Sequence, residues 1–309
     1  MSEHGWPGQR AQPVTLLVTG AGGQLGTDLL RVLSAVDGLQ PVGVRRRELD
    51  ITDRAAVEAA LARVRPDVVL NAAGYTAVDA AESDEDTAHL VNAVAPGLLA
   101  AACARSGARL VHVSTDYVFA GEASTPYEVD APTGPKSAYG RTKLAGEQAV
   151  RSALPGASWV VRTAWLYGET GGNFVKTIVR LERSHQTLDV VDDQRGAPTW
   201  SRDLARGLVD LARAVTGPAG GPAPGVYHGT NAGDTTWYGL ARAVFAEIGA
   251  DPDRVRPTGT DRFPRPAPRP AYSVLSGAAW RAAGLLPLPH WRAALHTAFA
   301  EVGPALRAA

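Results

Sequence analysis

A doubly wound α/β fold with a parallel sheet and a smaller C-terminal lobe is predicted by three observations. Apolar runs of strand length alternate with alanine-rich helical stretches, a glycine-spaced turn follows the first run, and 309 residues exceed one small core. The first run, 14–19, is uncharged, as a strand buried on both faces should be. Leu25, Leu29, Leu33 and Val36 then recur at helical spacing. Strands are expected over 41–44, 67–73, 109–115 and 158–163, separated by helices over 55–64, 89–105 and 139–152. Such alternation implies right-handed crossovers.

Beyond about residue 170 the rhythm loosens. Helices are expected over 173–183, 202–215 and 235–249, the last capped by Thr235 or Thr236, and 216–225 reads as a Gly/Pro-rich surface connection. The four prolines of 262–270 exclude helix and central strand, because each removes a backbone donor and fixes φ. The expected division is a disordered lead-in over 1–12, a dinucleotide-binding core over 13–170, and a substrate lobe over 171–309 with some segments returning to the core.

Equal numbers of basic and acidic residues, 31 each, give no argument for nucleic acid. Residues 1–12 lack the apolar centre of a secretory signal and no uninterrupted apolar stretch is long enough to span a bilayer, so no membrane association and a cytoplasmic location are expected. The single cysteine, Cys103, lies in an apolar run and is expected to be buried. Seven scattered histidines show no metal-ligand spacing, and His112 is assigned to the sheet interior.

Gly20, Gly23 and Gly26 follow the first strand and open the first helix, where absent side chains let a pyrophosphate approach the helix N-terminus. Gln24 and Leu25 belong to the same turn. The second strand runs into Arg45-Arg-Arg47, which fits a 2'-phosphate or a solvated basic turn; the first is favoured, and with it NADPH over NADH. Asp50 is placed near an adenine amine with Ile51 beside it, and the third strand should deliver Ala73, Gly74, Tyr75 and Thr76 to the cofactor, as the fourth delivers Val113.

Tyr139 and Lys143 stand four residues apart, so a helix sets them on one face, where an ammonium beneath a phenol favours phenolate. Taken alone, this spacing is common on exposed helices. It gains meaning from its order after the glycine turn and after Ser114, Thr115 and Asp116, which should emerge at the ligand-binding edge of the sheet. A Thr115 hydroxyl there can join the phenol on a reacting carbonyl oxygen.

With these segments in order, the chain resembles the extended short-chain dehydrogenase/reductases and, within them, the dTDP-4-dehydrorhamnose reductase family. The likeness rests on 20–26, 49–53, 71–79, 113–119, 139–147, 162–168, 173–175 and 190–194, and covers the chain from Val14 to about Trp291. It implies reduction of the 4-keto group of a dTDP-6-deoxyhexulose to dTDP-L-rhamnose, with Tyr139 as proton donor, Lys143 on the nicotinamide ribose and Thr115 on the oxyanion. Thr115, Asp116 and Trp165 are then the sugar contacts, although Trp165 also fits a core aromatic. Arg262, Arg265 and Arg269 are candidates for the pyrophosphate or for loop surface. Some relatives bridge a dimer through magnesium-bound glutamates; the matching Asp28 is read here as an exposed helix residue, and no metal is expected. The family pattern commonly has Ala at Gly74. A dTDP-sugar and, at most, a second copy of the chain are the expected partners. Competing readings are a related deoxysugar ketoreductase, a sugar-nucleotide epimerase that retains NAD, and a non-catalytic NADP-binding regulatory subunit.

Overall fold

A computed structural model describes residues 13–217 and 220–308, so the lead-in expected over 1–12 lies outside the described residues. Six strands form one parallel sheet: β1 (Val14–Thr19), β2 (Leu39–Val44), β3 (Val68–Asn71), β4 (Arg109–Thr115), β5 (Ser158–Thr163) and β6 (Gly225–His228). Their spatial order is 2-1-3-4-5-6. Progression reverses between β1 and β3, which makes their carboxyl ends the natural crevice for a ligand. Pro41 is tolerated because β2 is an edge strand, with no strand paired beyond it among the described residues.

The first five strands lie where the sequence places them, with boundaries shifted by a few residues at β2 and β3. The sixth was not anticipated; it is four residues long and follows the Gly/Pro-rich connection. Helix α1 (Gln24–Ser34) packs Leu25, Leu29 and Leu33 on one sheet face, against Leu204, Leu208 and Leu211 of a helix from the second half, Ser201–Thr216. The other face is covered by α2 (Arg54–Val64), by α3, the helical run Glu85–Ser106, and by α4 (Ala138–Ala153), and it buries Cys103 as expected. The run Glu85–Ser106 is long and apolar enough to cross a membrane, but half of its most apolar window is buried within the fold, as in a core helix.

A second core, built from Phe174–Glu182, Trp237–Glu247 and Trp291–Arg307 with the parallel pair Leu188–Val191 and Val255–Thr258, forms the lobe. Thr236 is the cap of the middle helix, its hydroxyl accepting from Gly239 N at 3.1 Å. The helix Trp291–Arg307 was not expected from the sequence. From the lobe the chain returns to the core as a strap: Tyr272 N donates to Gly121 O of the core at 3.0 Å, while the next residue, Ser273, donates its N–H to Arg195 O of the lobe at 2.8 Å.

One expectation fails here. Asp28 is buried, not exposed: Ser201 Oγ donates to its Oδ2 at 2.5 Å, and Arg31 and Arg202 lie at 3.3 and 3.4 Å from its Oδ1. A carboxylate on the first helix faces inward because the Ser201–Thr216 helix brings those donors to it. The Arg202 guanidinium also reaches Glu169 and Glu301, so the charge is embedded in a network joining α1 to the lobe.

Candidate active site

Two clefts open at the carboxyl edge of the sheet. The first, of about 420 Å³, is lined by Gly20, Gly22, Gly23, Arg45, Arg46, Asp50, Ile51, Ala73, Gly74 and Tyr75. Gly20 has φ +70°, and a Cβ on it would lie 2.7 Å from Ala73 N, so β1 and β3 can deliver their turns side by side only without a side chain there. Most of the expected dinucleotide residues therefore meet in one place. Arg45 crosses the glycine turn, its Cδ 3.5 Å from where a Gly22 Cβ would be. Asp50 Oδ1 accepts from Thr52 N and Oγ1, and these bonds hold its carboxyl below the ordinary range.

Seven expected contacts fall outside the lining of this cleft: Gln24, Leu25, Gly26, Thr76, Val113, Tyr139 and Lys143; of these Gly26 packs under the glycine turn, where a Cβ would lie 2.2 Å from Gly20 O. Leu25 is core, Gln24 Oε1 accepts from Asn173 Nδ2 at 3.1 Å, Thr76 is exposed, and the Val113 carbonyl accepts from Lys143 Nζ at 2.7 Å. Thr87 and Val91, which no motif marked, line it instead.

The second cleft, about 500 Å³, lies on the lobe side. Phe174, Ile178, Leu181, Leu188, Val190 and Trp237 supply apolar walls, and Arg265 and Arg269 supply positive charge. Arg262, the third arginine considered, is not in its lining. Arg269 is held by Asp79, with Nη1 at 2.8 Å and Nη2 at 2.9 Å from its two oxygens. Trp165 stacks on Trp237, ring centroids 3.5 Å apart.

Tyr139 stands between the two. It packs with Tyr75 around Ala81, Ala88 and Ala138, and meets Tyr117 of the lobe-side cleft edge-on at 5.5 Å. Helix α4 begins where it does because Ser137 Oγ accepts from Gly140 N at 3.1 Å, which places Tyr139 and Lys143 in its first two turns. Gly140 permits the close seat of this helix: a Cβ would lie 2.3 Å from Tyr117 O.

The Thr115 hydroxyl is near enough to the phenol to favour its charged form, and its Oγ1 donates to Asp116 Oδ1 at 3.0 Å and accepts from Tyr117 N at 3.2 Å. Burial, reinforced by the Asp116 charge and opposed by the Thr115 hydroxyl, pushes the Tyr139 phenol up to about 12. The expectation that Lys143 draws this phenol downward is corrected: the ammonium is directed to the Val113 carbonyl, and desolvation dominates the phenol. Burial pulls Lys143 itself down to about 8 against the opposing pull of Glu147. Asp116 is fully enclosed, and burial raises its carboxyl to about 6 even though Ser273 and Thr115 favour the charged form. Its access to a sugar is therefore indirect in this conformation.

Behind the reacting edge lies a network to which the sequence reading gave no roles. Arg162 grips Glu147 with two bonds of 2.9 and 2.7 Å, both side chains buried, and Ser114 Oγ donates to Glu147 Oε1 at 2.5 Å. The signal was available, since Tyr139, Lys143 and Glu147 repeat at i, i+4 and i+8 on one helix face. Asn92, in the π-helical turn Leu90–Val94, accepts from Tyr75 N at 2.8 Å and donates to Thr142 Oγ1 at 3.2 Å, tying the first cleft to α4. His112 is fully buried, its Nδ1 3.0 Å from Asn71 Nδ2, and burial with the nearby Lys143 charge keeps it neutral.

A proton-bearing phenol between a glycine-lined cleft that carries Arg45 and Arg46 and an aromatic, arginine-rimmed groove suits hydride reduction of a carbonyl on a phosphorylated ligand. Comparison with known proteins agrees. Residues 14–303 match the RmlD substrate binding domain family. A Streptomyces griseus protein named dTDP-4-dehydrorhamnose reductase is 52% identical over 92% of each chain. A Streptomyces antibioticus protein named as a probable dTDP-4,6-dihydroxy-2-methyloxan-3-one 4-ketoreductase is 53% identical over 93% of this chain and 95% of its own. The crystal structure of a Bacillus anthracis dTDP-4-dehydrorhamnose reductase with NADP superposes with a TM-score of 0.88 and 34% identity, covering 94% of this chain and 100% of that one.

Proposed function

Because this chain belongs to the RmlD substrate binding domain family, we propose that it is the NADPH-dependent reductase that converts dTDP-4-dehydro-6-deoxy-L-mannose to dTDP-L-rhamnose, acting in the cytoplasm. The observation that carries the reading is the position of the Tyr139–Thr115 hydroxyl pair between the two clefts.

The residues fit a phosphorylated dinucleotide. Gly20, Gly22 and Gly23 leave the backbone open to a pyrophosphate, and Arg45 and Arg46 offer guanidinium groups at the adenosine end, where a 2'-phosphate needs them. The reduced cofactor supplies hydride when bound. The chain supplies everything else: Tyr139 donates its proton to the oxygen that gains charge, Thr115 shares that oxygen, and Lys143 offers an ammonium to the cofactor's ribose from beneath the Val113 carbonyl. In the groove, apolar walls suit a base and a deoxysugar, and Arg265 and Arg269 suit the diphosphate.

The relative from Streptomyces antibioticus favours a second reading, another dTDP-4-keto-6-deoxyhexose as substrate, since its name differs while its identity to this chain does not. One assay tests both. Stoichiometric NADPH oxidation with dTDP-4-keto-L-rhamnose, and a product whose NMR couplings match dTDP-L-rhamnose, supports the first. Turnover only of a different dTDP-4-keto sugar supports the second, and cofactor retained without net oxidation of NADPH removes both.

A further inference from the structure

Trp165 adopts φ +46°, a left-handed backbone that a bulky side chain rarely takes. It leaves the sheet two residues after Thr163, which is paired in register with Thr115, so this strain lies beside the proton donor's hydroxyl partner. The surrounding structure holds it there. Thr199 N donates to the Trp165 carbonyl at 3.2 Å. On one side the indole lies on the backbone of Gly196, where a Cβ would come within 2.4 Å of its Cε2 and 2.6 Å of its Nε1. It also stacks on Trp237, with 5° between the ring planes. Trp237 is fixed in turn: its Nε1 donates to Gln194 Oε1 at 3.0 Å, and Gln194 Nε2 donates to Thr260 Oγ1 at 2.9 Å.

These contacts have one physical effect. A flat ring held between a glycine backbone and a second indole cannot tilt or slide, so its position relative to the end of β5 is set before any ligand arrives. Trp237 and Gln194 also line the lobe-side groove, which joins the held ring to the nucleotide-binding wall. We propose that Gly196 and Trp237 are positioning residues for the reduction: they hold the Trp165 indole as a preformed wall of the sugar site, linking the groove to the catalytic edge. This rests on the reductase reading given above. Sugar alignment against the Tyr139 hydroxyl is then a property of the lobe, transmitted through one ring.

A size-complementation cycle tests it, with kcat/KM for the dTDP-4-keto sugar and near-UV circular dichroism as readouts. Gly196→Ala displaces the indole and lowers kcat/KM by about tenfold or more, since small misplacements near reacting atoms have large kinetic effects. Trp165→Ala lowers it as well. The double variant is no worse than Trp165→Ala alone, because removing the indole frees the space the new methyl needs, and the KM for NADPH is unchanged throughout. Losses that multiply, or a Gly196→Ala enzyme within twofold of wild type, overturn the proposal. Trp237→Phe, which leaves Gly196 intact, serves if Gly196→Ala does not fold. Its loss should be smaller in the Trp165→Ala background than in wild type, and equal losses overturn its share. Should the wild-type chain oxidise no NADPH with any dTDP-4-keto sugar, the reductase reading falls, and the clamp is judged on spectra alone. Gly196→Ala must then alter the near-UV band of the wild type but not that of Trp165→Ala, and a spectrum superimposable on wild type overturns it.

Discussion

At neutral pH Tyr139 carries its proton, because burial and the Asp116 charge both favour the neutral phenol. A reductase needs its acid in that form. Tyr139→Phe keeps the ring packing against Tyr75 and Tyr117 and removes only the hydroxyl, so turnover should fall by about 10²–10⁴-fold with the KM for NADPH within twofold; near-normal turnover would exclude its role. Lys143 titrates in the opposite sense. Its folded proton affinity, about 8, lies below the ordinary lysine value of 10.5, so between these pH values the unfolded chain binds more protons and stability rises with pH. Below about 8 the cost of the buried ammonium is fully present. Lys143→Met should therefore raise the melting temperature at pH 7, by the equivalent of about 1–3 kcal/mol less the lost bond to Val113, while abolishing turnover. A variant less stable than wild type would show that the ammonium contributes net stability. In the wild type, kcat/KM for NADPH should decline above about pH 8 as the free enzyme loses this charge.

Helix α4 is the element that turns sequence spacing into a site, and its seat depends on the Gly140 contact with the turn after β4. Gly140→Ala places a methyl 2.3 Å from the Tyr117 carbonyl, so helix and turn must separate. We expect a loss of about 1–3 kcal/mol of stability and about 100-fold in kcat/KM, measured by thermal unfolding and steady-state kinetics; a variant with wild-type kcat/KM would show that the close seat is not needed. The i, i+4 spacing of Tyr139 and Lys143 was legible because one helix fixes both, and the glycine turn because a strand precedes it and a helix follows. Other features are set by elements far apart in the chain. Asp28 is exposed in any view of α1 alone and becomes buried only when the Ser201–Thr216 helix docks. The strand β6 lacks a pattern of its own because, at four residues beside a Gly/Pro-rich connection, its pairing with β5 defines it. The same holds for Trp165, whose stack on Trp237 joins residues 72 positions apart in the chain.

Across the whole molecule, the lobe-side groove is closed by residues of both halves, and the Asp79–Arg269 pair is where they meet. Asp79 lies beyond β3 on the core, and Arg269 on the proline-rich strap. The carboxylate also accepts from Ala267 N at 3.2 Å, and these bonds outweigh burial to hold it below the ordinary range. Two geometries of function are conceivable for such a pair. A latch would keep Arg269 from the ligand and yield it only on binding, whereas a brace would fix the guanidinium plane and present its remaining edge. The bonds favour the brace: Nη1 is engaged by Asp79 and by the Ala267 carbonyl at 2.9 Å and Nη2 by Asp79, while no bond to Nε is found among the described residues. A fixed fork loses little freedom when a diphosphate arrives. Asp79→Asn should therefore raise the KM for the dTDP-sugar by about tenfold, with kcat and the KM for NADPH changed less than twofold. Because a latch predicts the reverse, a tighter dTDP-sugar complex in Asp79→Asn, calorimetric titration with dTDP distinguishes the two directly, and a lowered Kd would show that the core restrains the strap arginine instead of aiming it.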